Sequence, residues 1–248
     1  MNQLNIGRFP ALDYGCNEAL NTLCTNLFYC GENIRSVLLT SRYEQEGKSG
    51  IAMNVMRTLA GYGKRVVLVD ADLRCSTLAR RYRFSFAQKE AFGLAQYLAG
   101  MCPLEDAVYQ TNLPGAYILP AGREVLNSMQ LLASPHYGAM MESLRANFDM
   151  VLVDSPPAGV IVDAVEIARY CDGAIIVVEY NKGRAQEIGE VAASISKTGC
   201  KVLGAVMNGV NLKSLRNRKY YYRSERYSSY YNRYDKTEKR PDKSAKRK

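Results

Sequence analysis

No apolar run in this chain approaches the eighteen or so residues that a membrane span needs; residues 173–178 are typical of its longest. The opening octet Met1-Asn2-Gln3-Leu4-Asn5-Ile6-Gly7-Arg8 lacks the apolar core of a signal peptide. Cys-x-x-Cys pairs are missing too. The seven cysteines, an odd number, are scattered from Cys16 to Cys200, and His136 is the one histidine. These absences argue against a zinc site and a disulfide framework and make a reducing cytoplasm the expected setting. No internal repeat divides the chain.

What is present is the composition of a soluble globular protein, 47% apolar and 23% charged over 248 residues. That length suits one α/β domain with a sizeable core, or two small ones. The net charge of +9 is concentrated at one end. Residues 216–248 hold thirteen Lys or Arg against four Asp or Glu, so residues 1–215 are neutral overall. From Lys213 onward aliphatic residues are few, and such a segment buries too little surface to offset its ordering entropy. A neutral body with a flexible basic tail is expected, the tail's tyrosines being able to dock into a groove.

Along the body, a helix is predicted from Asn17, as N-cap, toward Tyr29. Strands are predicted at 36–40, 65–70 and 117–119, and at the apolar runs 150–153, 174–178 and 202–207. Helices are predicted at 48–62, 93–98, 162–170 and 185–198. Another begins at Ser134-Pro135, a serine cap with proline at the first helical position, and runs to about Asn147. Continuous apolar strands alternating with helices indicate an α/β fold with a mostly parallel central sheet covered on both faces. The division expected is an N-terminal segment and helix over 1–35, a nucleotide-binding domain over 36–212 and a tail over 213–248.

Two stretches carry the chemistry. Glu46-Gly47-Lys48-Ser49 follows one apolar strand, and Val69-Asp70-Ala71-Asp72-Leu73-Arg74 ends the next. A Gly-Lys-Ser at a strand-to-helix turn wraps a phosphate with backbone N–H groups, a lysine and a hydroxyl. Lys48 is placed to reach the β- and γ-phosphates and Ser49 to offer its hydroxyl to Mg²⁺, while Gly47 and Gly50 leave room for close approach. Asp70, Asp72 and, after a third strand, Asp154 supply hard carboxylate oxygens at the sheet edge where α/β proteins bind ligands. Any one of these features occurs by chance, the aspartates as strand ends or turn caps. Their occurrence in order, each after an apolar strand, points to phosphoryl transfer.

These residues resemble the bacterial tyrosine kinases of capsule and exopolysaccharide clusters, the CpsD/CapB type of P-loop NTPase, over nearly the whole chain. Thr40-Ser41 with Glu46-Gly47-Lys48-Ser49 looks like the Walker A motif of that family, and Val69 to Arg74 its Walker A′. Phe148-Asp149-Met150-Val151-Leu152-Val153-Asp154-Ser155-Pro156-Pro157 is similar to its Walker B, with Asp163 matching a following aspartate. Pro120-Ala121-Gly122, Asn127, Leu131-Leu132 and Ser134-Pro135 resemble the connecting region. Gly204-Ala205-Val206-Met207-Asn208 resembles the strand whose asparagine lies near the base.

The resemblance implies an ATP- and Mg²⁺-dependent protein-tyrosine kinase that phosphorylates its own C-terminal tyrosines in trans. It also implies a membrane-embedded activator of the chain-length-regulator type, a cognate tyrosine phosphatase, and recruitment to the inner face of the membrane. Tyr220, Tyr221, Tyr222, Tyr227, Tyr230, Tyr231 and Tyr234, seven within fifteen residues, are the acceptors expected. Lys48 is assigned to phosphate charge, Ser49 and Asp72 to Mg²⁺, and Asp154 to the metal's water shell. Asp70, with Asp72 second, is assigned to orienting or deprotonating the acceptor. Glu46, Gly47, Gly50 and Asn208 complete the nucleotide site, and Arg74 either steadies the aspartates or is a surface arginine.

Departures from the pattern concern the loop and the first helix. Glu44-Gln45 stands where Pro-Gly is usual, with Gln45 ill suited to positive φ. Gly50 replaces a threonine and loses a hydroxyl for the α-phosphate. The Glu-x-x-Arg-x-x-Arg linked to ring assembly reads Glu18-Ala19-Leu20-Asn21-Thr22-Leu23-Cys24, so the arginine pairing across subunits is unavailable for a homo-oligomer. The rival readings are a catalytically weak nucleotide-binding scaffold and an ATPase switch of the MinD/ParA type. The latter has a second lysine five residues before Lys48, where this chain has Tyr43. The basic tail also admits anionic lipid or nucleic acid, although no nucleic acid is expected, and a plain solubilising role stands beside these.

Overall fold

The structure, a computed structural model, describes residues 2–31, 33–88, 90–123 and 125–210. Residues 1–208 make one compact unit. Among the described residues its strands are β1 (Asn2–Ile6), β2 (Ser36–Ser41), β3 (Val66–Asp70), β4 (Phe84–Phe86), β5 (Tyr109–Thr111), β6 (Ala116–Leu119), β7 (Met150–Asp154), β8 (Gly173–Glu179) and β9 (Lys201–Asn208). The helices are α1 (Tyr14–Tyr29), α2 (Lys48–Gly61), α3 (Leu78–Arg81), α4 (Leu94–Leu98), α5 (Leu104–Ala107), α6 (Ser128–Leu132), α7 (Pro135–Asn147), α8 (Asp163–Ala168) and α9 (Ala185–Ser196).

The strands form one sheet in the order β4-β1-β5-β6-β3-β7-β2-β8-β9. From β6 to β9 every neighbouring pair is parallel. Antiparallel pairing occurs only on the other side, between β5 and β6 and between β1 and β4. The mostly parallel sheet with helices on both faces is the architecture expected from the apolar runs.

Those runs are continuous because both faces are covered. Val67, Val69, Val151 and Val153 join one core with α7, α8 and α9 residues such as Met140, Ile167 and Ile195. Their alternates Val66, Leu68, Met150 and Leu152 join a second core with Cys24 and Leu27 of α1 and Met53 and Met56 of α2. A strand buried on both faces has no polar alternate, so period two disappears from its sequence.

Two expectations change in detail. The N-cap of α1 is Asp13, whose carboxylate accepts the Cys16 N–H at 2.8 Å, and Asn17 lies inside the helix. The N-terminal segment contributes β1 to the sheet between β4 and β5. Of the two α1 positions without arginine, Cys24 is fully buried, and Asn21, half-buried, accepts the Tyr62 hydroxyl at 2.9 Å at the surface.

Candidate active site

The order of the parallel strands sets the site. At their C-terminal ends stand, side by side, Pro120-Ala121-Gly122 after β6, Asp70 on β3, Asp154 on β7, the phosphate loop after β2, and Glu179 on β8. Asp70 and Asp154 are direct neighbours across β3 and β7. The loop between β2 and α2 is held from three directions. Glu46, 1% exposed, accepts the Tyr43 N–H at 2.9 Å and the Glu179 N–H at 3.2 Å on its two carboxylate oxygens. The side-chain amide of Asn208 donates to the Glu46 carbonyl at 2.9 Å. Thr40 donates to the Pro156 carbonyl and accepts from the Ala158 N–H, tying β2 to the turn after β7. Glu46 and Asn208 thus serve as struts of the loop.

Gly47 caps α2 at φ 89°, and a Cβ there would lie 2.0 Å from the Asn208 amide nitrogen. Only glycine meets both demands. Gln45 takes φ 62°; the loop does require a left-handed residue where the chain has none suited to it. Tyr43, at the second-lysine position of the switch ATPases, sends its hydroxyl to Glu187 of α9 at 2.9 Å.

α2 starts at Lys48, and its Ile51 N–H is bonded to the Gly47 carbonyl. The earlier N–H groups of its first turn have no intrahelical acceptor and form an anion-binding end. Lys48 is nearly buried beside them. Ser49 stands close enough to Asp154 to help hold its carboxyl down. Burial pushes the Asp154 carboxyl up to about 7, against the pull of Ser49 and Lys48. Burial, and then the Asp154 charge beside it, raise Asp70 well above the carboxylate range, while a short hydrogen bond from the Ser76 hydroxyl opposes this.

One oxygen of each buried carboxylate, Oδ1 of Asp70 and Oδ1 of Asp154, has no hydrogen-bond partner among the described residues. Groups so placed suit a cation or a proton donor brought by a ligand. No three acidic, histidine or cysteine side chains converge as a metal cage among the described residues. Mg²⁺ fits such a site in the way it is usually held, by one or two protein oxygens with phosphate and water completing its shell. Ser49 and Lys48 act on Asp154 from the loop side; Asp72 accepts the Cys75 N–H at 3.0 Å, and its charge reaches both Asp154 and Asp70.

Arg74 does not turn to Asp70 or Asp72. It forms a two-pronged pair with Asp163 at 2.8 and 3.0 Å, and Ser128 of α6 donates to the same carboxylate at 3.0 Å. Beyond the aspartates, on the side away from the phosphate loop, lies a cavity of about 270 Å³ lined by Asp70, Asp72, Ser76, Phe86, Phe92 and Gly122 among others. Ser76 went unnoticed in the sequence because only the turn after β3 brings it onto Asp70. Tyr220 to Tyr234 lie outside the described residues.

A loop of this kind, opening a helix between strands that end in aspartates, defines a P-loop NTPase. The AAA domain family matches residues 45–201. The tyrosine-protein kinase CpsD of Streptococcus agalactiae serotype III is 32% identical over 78% of this chain and 82% of its own length. The VpsO kinase domain superposes with a TM-score of 0.72 at 28% identity, covering 79% of this chain and 95% of that one. The septum site-determining protein MinD from Pyrococcus horikoshii, complexed with Mg-ADP, has a TM-score of 0.61 at 26% identity over 74% of this chain and 73% of its own. The chain belongs to the CpsD/CapB family of bacterial tyrosine-protein kinases. The expected fold, enzyme class and nucleotide binding hold.

Proposed function

We propose that this kinase moves the γ-phosphate of Mg·ATP to tyrosines of its own C-terminal cluster, in trans, within capsular or exopolysaccharide synthesis. The observation that carries this reading is the placement of Asp70. It stands between the phosphate loop on one side and the 270 Å³ cavity on the other. Donor and acceptor approaching from those two sides would meet at its carboxylate.

In this reading Lys48 offsets phosphate charge, and Ser49, Asp72 and Asp154 serve Mg²⁺, Asp154 partly through its water shell. Gly47, Gly50 and the N–H groups of the first turn of α2 cradle the phosphates, with Glu46 and Asn208 bracing them and Arg74 bracing Asp163. Asp70 orients the acceptor phenol and takes its proton. A tyrosine hydroxyl titrates near pH 10, and a carboxylate raised by burial matches it better than an ordinary one. Ser76 holds that carboxylate in one rotamer.

The partners follow from the family: a membrane-embedded activator of the chain-length-regulator type that recruits the kinase to the inner face of the membrane, and a cognate tyrosine phosphatase. Among the described residues no helix is long and apolar enough to cross a membrane, which supports recruitment by another protein. Homo-oligomers would form without arginine pairing from α1, since its two positions hold Asn21 and Cys24.

The test incubates purified protein with Mg·ATP, with and without the cytoplasmic segment of the activator, and blots for phosphotyrosine. Lys48→Met and a chain ending at Asn211 are the negative controls. Phosphotyrosine in the wild type alone is expected. Its absence in every activator-supplemented sample would overturn the kinase reading in favour of a nucleotide-binding scaffold.

A further inference from the structure

Two cations border the phosphate loop in sequence, and only one of them serves it. Lys48 is drawn in beside Asp154. Arg42 points away: its Nη1 donates to the Gly159 carbonyl at 2.8 Å, and its guanidinium lies 5.3 Å over the Tyr43 ring. Tyr43 is itself committed to Glu187. A nucleotide polyphosphate bound at this loop would face Lys48 together with two strand-end carboxylates, so its charge is poorly matched by the loop alone.

A second cation arrives from α3. The Arg81 guanidinium lies with Nη2 3.6 Å and Nη1 3.8 Å from the point where a Cβ on Gly50 would stand. Gly50 is the third residue of α2, within the turn whose N–H groups have no intrahelical acceptor. The guanidinium therefore lies beside the anion-binding end of that helix, within van der Waals reach of where a side chain at position 50 would start. Its charge reaches Asp154, which it helps to pull down. Arg81 is exposed and makes no ion pair among the described residues; its ring contact is with Tyr82 at 5.9 Å.

We propose that Arg81 is a ligand of the nucleotide's phosphate chain, gripping it from the Gly50 side while Lys48 holds it from within the loop. The inference rests on the nucleotide site described above. It also bears on Gly50: near the place where the hydroxyl is missing stand guanidinium donors. A planar fork with fixed donors suits phosphate oxygens better than a flexible ammonium.

The test is equilibrium binding of Mg·ADP and Mg·ATP to full-length protein, measured by calorimetry at low and high NaCl. Arg81→Ala is expected to weaken both ligands by roughly 10- to 100-fold, the range of a hydrogen-bonded charge pair. Arg81→Lys should fall between the two. The affinity of Arg81→Ala should also depend less steeply on salt than that of the wild type, because one charge pair has gone. Nucleotide-free melting temperatures should coincide, since the side chain is exposed. Wild-type affinities and salt dependence in Arg81→Ala would overturn the proposal. So would a weakened variant that also melts early, because Arg81 would then act through the fold. A wild type that bound no ADP would remove the nucleotide site itself, and Arg81 with it.

Discussion

Asp154 shows how one side chain couples the site to pH. The folded protein keeps its proton up to about pH 7, whereas the ordinary carboxylate value is 3.8. Between those values the native state binds more protons than the unfolded chain, so the nucleotide-free protein loses stability as pH rises through this window. Asp154→Asn removes that loss. In chelator, its melting temperature should gain on the wild type from about pH 4 to about pH 8, and parallel curves would refute the assignment. Gln45 is a second such case. At φ 62° it carries a left-handed strain of about 1 kcal/mol. Gln45→Gly should raise the denaturation midpoint modestly and leave nucleotide affinity intact. Arg74→Ala leaves the buried Asp163 carboxylate with Ser128 alone and should cost about 2 kcal/mol in urea unfolding.

At the scale of elements, the parallel strands are the robust part. Leu38 of β2 is fully buried in the same core as Val153 and Ile176. Leu38→Ala should destabilise by about 2–5 kcal/mol, read as a fall in the urea midpoint. Strands of this kind were legible because their apolar runs are unbroken: β2, β3, β7 and β8 were placed to within a residue or two. β1, Asn-Gln-Leu-Asn-Ile, was not, since polar residues outnumber apolar ones and two-sided burial is absent. β4, Phe84–Phe86, and β5, Tyr109–Thr111, have three residues each, too few for any period to register. The Asp13 cap was missed because Asn17, four residues on, has the same capping chemistry. In the site, Lys48, Asp70 and Asp154 were legible as strand-end chemistry. Ser76 and Arg81 were not, because α3 and the turn before it meet the aspartates and α2 only after folding. Arg74 could be seen as a neighbour of the aspartates, but its partner is 89 residues away.

For the whole molecule, charge is the lever. The +9 of the chain equals that of residues 216–248, and each phosphotyrosine adds about −1.5 to −2. Five or six modified tyrosines would neutralise or reverse the tail. Autophosphorylated protein should leave a cation exchanger progressively earlier, and the chain ending at Asn211 should show no such ladder while still binding ADP. The strand order has a further consequence, in time rather than space. β2 lies between β7 and β8, with Ser36 beside Val151 and Val37 beside Gly173. A ribosome that has reached residue 145 has already made the phosphate loop and α2, yet neither strand that flanks β2. Such long-range closure is slow and leaves apolar strands unpaired meanwhile. Nucleotide capture by a growing chain would therefore mark the end of folding, and the youngest polypeptide able to hold ADP with full affinity should be one whose β9, which carries the Asn208 strut, has cleared the exit tunnel.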